Sequence, residues 1–289
     1  MGARGAPEEL LPVPSYRFPE AAVNALARAT EYGAWRRRVS DGHPSLPGLQ
    51  RDAVRLVIDT ALSRGDGWLT PSEAQAIVEH AGLSIAASRV TTTIEDALAA
   101  AHDIGYPVAL KAAGPEIVHK TDVGGVILNI ANDTALREAY SMLTTRVGSA
   151  MTAAVVQQMV AGGVELLIGA VTDPMFGPVI ACGSGGVLVD LLHDTTFRLH
   201  PVSDVDATEM VQGLKSAALL RGYRGQPASD EGAVVDALRR VSALVEICPE
   251  IQELELNPLK VFSRGARAVD VRVRVGRHQP RPSTRRIAY

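Results

Sequence analysis

Lysine is scarce in this chain: among its 29 basic residues, only Lys111, Lys120, Lys215 and Lys260 are lysine. Lys111 follows the apolar run Val108-Ala109-Leu110 and precedes a polar loop that ends in Gly124-Gly125-Val126. A lysine on a rigid strand presents a compact charge to phosphate oxygens, and glycines let backbone N–H groups approach an anion closely. Inside that loop His119 supplies an imidazole able to accept or relay a phosphoryl group near neutral pH. The same residues also fit a snorkelling strand lysine and an ordinary turn. A second cluster, Gly183-Ser184-Gly185-Gly186, lies between the apolar runs Val179 to Cys182 and Val187 to Leu192. Such a loop can close over a nucleotide phosphate or simply link two strands, and it lacks the GK[ST] ending of a Walker A loop.

The third cluster is the most informative. Glu253, Glu255 and Asn257 alternate with Leu254 and Leu256, which places three oxygen-bearing side chains on one face of a strand. Pro258 holds Asn257 extended. On the next strand Val269, Val271, Val273 and Val275 read as the apolar face, sending Asp270 to the other side with Ala268 and Arg272, where a hairpin would set it opposite Asn257. Carboxylate and amide oxygens on neighbouring strands suit Mg²⁺, which takes one or two carboxylates and completes its shell with water and nucleotide phosphates. A solvated face pairing these acids with Arg272 and Arg274 accounts for the same pattern.

These residues need rigid elements to hold them. Thr70-Pro71-Ser72-Glu73 offers an N-cap, a proline at the first helical position and a capping-box glutamate for a helix to about His80, ended by Gly82. Thr92-Thr93-Ile94-Glu95 opens a second helix to about Ile104, broken by Gly105-Tyr106-Pro107 before the Lys111 strand. Further helices are expected over Asp133 to Val147, Asp204 to Ala217 and Asp230 to Ile247. Strands are expected over Gly124 to Ile130, Ala154 to Val160, Val164 to Val171, Pro178 to Cys182, Glu253 to Phe262 and Arg267 to Val275. Helices and strands interleaved without a regular βαβ beat favour an α+β fold over a doubly wound sheet.

Composition narrows the classes. In 289 residues, 46% are hydrophobic and 21% charged, with 32 acids giving a formal charge of -3 and 4% aromatics. That is a globular composition without the basic face or stacking aromatics of a nucleic-acid binder. No apolar run approaches the roughly 18 residues of a membrane span, and the N-terminus lacks signal-peptide order, so a cytoplasmic protein is expected. Cys182 and Cys248 are far apart and read as small buried apolar residues.

Together the segments resemble the ATP-grasp, beta-type subunit of ADP-forming acyl-CoA synthetases, the acetate–CoA ligase branch of the succinyl-CoA synthetase superfamily. The resemblance runs from about Trp68 to Val275 and rests on Gly105 to Lys111, Ile117 to Val126, Asp173 to Val179, Gly183 to Gly186 with Phe197-Arg198, and Glu255 to Leu259. Tyr16 to Pro19 and Tyr32 to Arg37 look like the linker that precedes this domain in fused members. The resemblance implies an α+β ATP-grasp fold: an N-terminal appendage over residues 1–65, lobes over 66–157 and 158–276, and a basic tail over 277–289. It further implies Lys111 on the phosphates of ATP or ADP, Val156 to Val160 as the adenine hinge with contacts at Gln158 and Val160, Glu165 nearby, and the Gly185-Gly186 loop over the nucleotide. Asn257 and Asp270 would hold Mg²⁺. Glu255 resembles the acid beside a phosphohistidine docking site, and His119 the histidine that relays phosphate. Neither a CoA-binding Rossmann domain nor a ligase domain is recognisable, which implies an alpha-type CoA-binding partner that also brings the carboxylic acid site. Two other readings stay open here: a ligase passing an activated acid to a different acceptor, and a non-catalytic regulatory domain.

Overall fold

The computed structural model describes residues 14–37, 46–114, 117, 124–186, 194–223, 225 and 227–277. It divides into two compact units. In the first, residues 1–42, helix α1 (Pro19–Arg36) carries an exposed Arg28–Glu31 pair on one side and exposed Val23 and Leu26 on another.

The second unit, residues 43–289, is built on two antiparallel sheets. The smaller has the order β2 (Ser88–Thr91), β5 (Ala153–Gln158), β3 (Val108–Ala113), β4 (Val126–Ile130). Helices α4 (Ile94–Ile104) and α5 (Asp133–Val147) pack on it. Their starts follow the sequence: Thr93 caps the Asp96 amide and Asn132 the Ala135 amide, satisfying donors that the first helical turn leaves unpaired. Leu98, Leu136 and Leu143 meet Val108, Leu110 and Val156 in a closed core.

The larger sheet has the order β1 (Gly67–Trp68), β11 (Val271–Val275), β9 (Ile251–Val261), β6 (Val164–Asp173), β7 (Gly177–Ser184), β8 (Thr195–Leu199), with β10 (Ala266–Ala268) also on β9. One face is sealed by α2 (Arg51–Ser63), α3 (Pro71–His80), α6 (Asp204–Gln212), a short α7 (Ala217–Leu220) and α8 (Glu231–Ile247). The capping box at Thr70 and Glu73 is present as expected. Val54, Ile58 and Ala61, spaced to one helix face, bury α2 in the same core as Ile168, Ile180, Leu254 and Val273. Packing therefore does not change at residue 65: α2, β1 and α3 belong with the large sheet, and the chain enters the small sheet only at Ser88.

Two expected elements are divided. The helix expected over Asp204 to Ala217 stops at Gln212, because the Lys215 and Ser216 amides turn to the Asp194 carboxylate at 2.7 and 2.8 Å instead of continuing the helical ladder. The strand expected over Arg267 to Val275 is interrupted at Val269-Asp270, opposite Pro258, which has no N–H to donate. The alternation changes phase there, so Ala268 lies in the core with Val273 and Val275 rather than beside Asp270. Among the described residues no helix is long and apolar enough to cross a membrane.

Candidate functional site

Strand β9 carries a bulge at the informative cluster. Leu166 pairs with Leu259 and Ile168 with Leu256, so Asn257 and Pro258 together face the single residue Leu167. A bulge bends its strand and re-aims a side chain. Here it leaves two successive residues outside the core between buried Leu256 and Leu259. The Asn257 amide donates to the Asp270 carbonyl at 3.1 Å, which puts the two residues opposite one another, as the alternation requires.

Asn257 is held on both atoms of its amide. Its Oδ1 accepts from the Gly186 amide at 3.1 Å, and its Nδ2 donates to Glu255 Oε1 at 3.0 Å. The second oxygen of Glu255 accepts from Arg272 at 2.7 Å, and the Arg272 guanidinium lies 5.7 Å over the Trp68 ring. Asp270 faces the other sheet, where Lys111 Nζ donates to its Oδ1 at 3.2 Å. Lys111 is 8% exposed in a strand whose six residues are all buried, so its ammonium is aimed by the sheet rather than by its own flexible stem. A second bond joins the sheets one step away, from Gln157 Nε2 to the Val269 carbonyl at 2.8 Å. The resulting cleft is lined by Pro71, Gln75, Ser88, Lys111, Gln157 and Asp270.

At the other end, the Gly185 amide donates to the Glu165 carbonyl at 2.9 Å. A Cβ on Gly185 would stand 2.6 Å from the Leu166 carbonyl, and Gly186 has φ +63 with the Glu165 carboxylate where its Cβ would go. Glycine is required at both positions for close approach and a left-handed backbone. Glu165 pairs at 3.3 Å with Lys260, whose ammonium also donates to the Val160 carbonyl at 2.8 Å. The Gln158 amide donates to the Ala87 carbonyl, and its side chain accepts from Arg267 at 3.3 Å.

Lys111, Glu165, Gly185, Gly186, Glu255, Asn257 and Asp270 thus form one connected group, joined to Val160 through Lys260, with Gln158 at the end of the neighbouring strand. His119 lies outside the described residues. Among the described residues no cluster of three or more His, Cys, Asp or Glu could enclose a metal ion. The Asp270 carboxylate and the Asn257 amide oxygen do suit Mg²⁺, an ion that needs few protein ligands when phosphates and water supply the rest.

Sequence reasoning left three contributors without a role. Lys260 had a signal, as one of four lysines in an arginine-rich chain. Gln157 had none. Asp194 immediately precedes β8; burial acts to raise its pKa, but bonds from the Ser216 hydroxyl, the Lys215 and Ser216 amides and the Ser184 hydroxyl outweigh it and hold the carboxyl low.

Residues 60–275 match the family model described as ATP-grasp domain. The ADP-forming acetate–CoA ligase I of Archaeoglobus fulgidus is 37% identical over 271 residues, taking in 91% of this chain and 39% of its own length. The chain thus spans about two-fifths of that relative. The β subunit of the ADP-forming acetate–CoA ligase I of Pyrococcus furiosus is 33% identical over 225 residues, 76% of this chain and 97% of the subunit. A structure of an acetyl-coenzyme A synthetase from Ca. Korarchaeum cryptofilum, in complex with coenzyme A and Mg-AMPPCP and with its phosphohistidine segment pointing towards the nucleotide-binding site, matches with a TM-score of 0.68 and 35% identity. That match covers 77% of this chain and 99% of the other. The chain belongs to the ATP-grasp family, in the branch that includes the β subunits of ADP-forming acetate–CoA ligases.

Proposed function

We propose that this chain is the ATP-binding, phosphoryl-transferring component of an NDP-forming acyl-CoA synthetase, acting with an alpha-type CoA-binding partner. The reaction is carboxylic acid + CoA + ATP to acyl-CoA + ADP + phosphate, reversibly, through an acyl phosphate and phosphohistidine. The observation that carries this reading is the meeting of Lys111 from the small sheet with Asp270 from the large one, beside Asn257. A buried ammonium next to metal-binding oxygens suits a triphosphate chain, whose transfer depends on positioning and charge neutralisation.

Lys111 neutralises phosphate oxygens, Asn257 and Asp270 hold Mg²⁺, and Gly185-Gly186 close over the nucleotide. Mg²⁺, when bound, spreads the phosphate charge. Val156 to Val160 form the adenine hinge, with contacts at Gln158 and Val160 and Glu165 beside it. Glu255 orients the incoming histidine and His119 relays the phosphoryl group. The Korarchaeum relative, with Mg-AMPPCP and a phosphohistidine segment, supports these assignments by similarity.

Calorimetric titration of Mg-ATP and Mg-ADP into the full chain tests the reading. Micromolar affinity, about 8 kcal/mol, weakened by Lys111→Ala and by Asp270→Ala, is the expected result. His119→Ala should bind nucleotide normally and lose turnover in the assembled enzyme. Absence of nucleotide binding, both in the free chain and in the assembled complex, overturns the proposal.

A further inference from the structure

Among the described residues, helices cover one face of the large sheet, and the other is crossed by rows of residues in register. Phe197 on β8 lies opposite Ala181 on β7, Ala181 opposite Gly169 on β6, Gly169 opposite Glu255 on β9, and Glu255 opposite Arg272 on β11. The next row runs Leu199, Val179, Val171, Glu253, Arg274 across the same strands. Strands β9 and β11 carry the acids and arginines, while β6, β7 and β8 carry apolar groups held in water: Phe197 is 58%, Leu199 55% and Val171 48% exposed. Met175 and Phe176, at the turn joining β6 to β7, are 68% and 63% exposed. Within the first row, Ala181 and Gly169 form a stretch without large side chains between Phe197 and Glu255. A Cβ on Gly169 would meet nothing within 4 Å but the Leu254 carbonyl and a Leu167 methyl.

Exposed apolar groups clustered on one face mark an interaction surface. We infer that the open face of β6, β7 and β8 seats the CoA-binding partner of the proposed reaction, with Phe197 and Leu199 as its anchors. The inference rests on that reading of function. Three observations select this occupant and place. The Pyrococcus furiosus β subunit matches over 97% of its own length but only 76% of this chain, and the ATP-grasp domain match covers residues 60–275, so a surface used by both is sought within that domain and not on α1. The apolar rows run directly into the Glu255–Arg272 pair, which Asn257 joins to the candidate site at 3.0 Å. The stretch over Ala181 and Gly169 leaves room for an extended partner segment to reach that pair, and edge strand β8 has one side unpaired among the described strands.

Hydrogen–deuterium exchange of the full chain, alone and with the purified CoA-binding subunit from the same genome, tests the placement. Exchange should slow over residues 171–184 and 195–199 on complex formation. Phe197→Asp and Leu199→Asp, both at exposed positions, should each weaken association at least tenfold while leaving the affinity of the free chain for Mg-ATP unchanged. Association that both variants retain, or protection confined to other segments, overturns the inference. Protection that grows with the concentration of this chain alone assigns the face to a second copy and also overturns it. Failure of the wild-type subunits to associate at all sinks instead the functional reading beneath it.

Discussion

Lys111 and Asp270 stand 159 positions apart in the chain and 3.2 Å apart in space, one in the small sheet and the other at the interruption between β10 and β11. Lys111 is nearly buried, whereas the Asp270 side chain is 34% exposed. The pair holds a cation and an anion ready for a ligand carrying both phosphate and metal. Removing Asp270 strands the ammonium in a poor solvent, whereas removing Lys111 leaves a carboxylate that water can still reach. We therefore expect Asp270→Ala to cost more stability than Lys111→Met, by about 1 kcal/mol. Denaturant titration of both single variants and the double variant measures this, and strictly additive losses would show that the two are uncoupled.

Gly185 is packed against main chain. A methyl group there would press on the Leu166 backbone at 2.6 to 2.7 Å, and no side chain is available to give way. Gly185→Ala should lower stability by about 1–3 kcal/mol through overpacking and displace the amide that now bonds Glu165. Thermal unfolding reports the first effect and nucleotide affinity the second. A variant indistinguishable from wild type in both would refute the account of this loop.

Asp194, immediately before β8, is tied to Ser184 and to the Lys215-Ser216 turn by hydrogen bonds. Its carboxyl is held below the ordinary value of 3.8, with burial opposing and the Ser216, Lys215 and Ser184 donors prevailing. A depressed pKa means the folded state favours the charged form, so the stabilisation is full above about pH 4 and is lost as the pH falls further. Asp194→Ala should cost about 2–3 kcal/mol at neutral pH, since buried donors lose a charged acceptor. Asp194→Asn should flatten the acid limb of a stability-against-pH curve, and an unchanged limb would assign it to other carboxylates.

Both cysteines are fully buried. Burial first, and then the nearby Asp194 charge, push the Cys182 thiol up to about 12; burial likewise pushes Cys248 up to about 11, against the opposing pull of Arg55. The fold favours the protonated thiol, so stability is full below the ordinary value of 9.0 and declines as the pH rises towards 11 and 12. At pH 8 a colorimetric disulfide reagent should label neither thiol in the native chain and both after denaturation. Rapid native labelling would show that one of these sites opens.

What the sequence determined by itself was local. Thr70 with Glu73, Thr93 and Asn132 set helix starts because a side chain a few residues away satisfies orphan amides, and Leu254 and Leu256 set the phase of the Glu253-Glu255-Asn257 face by simple alternation. Alternation and a hairpin were also enough to set Asp270 opposite Asn257. Only the tertiary structure decided the rest. Alternation has no memory of a bulge, so the two-residue excursion at Asn257-Pro258 and the move of Ala268 into the core depend on pairing with β6 and β10. The end of α6 depends on Asp194 capturing two amides from a distant strand end, a competition that no local propensity contains. The Lys111–Asp270 contact, the Lys260 bridge between Val160 and Glu165, and the open apolar rows of β6 to β8 all need strands far apart in the chain to lie side by side. Residue type says what a side chain is able to do; which partner it meets is set by long-range register.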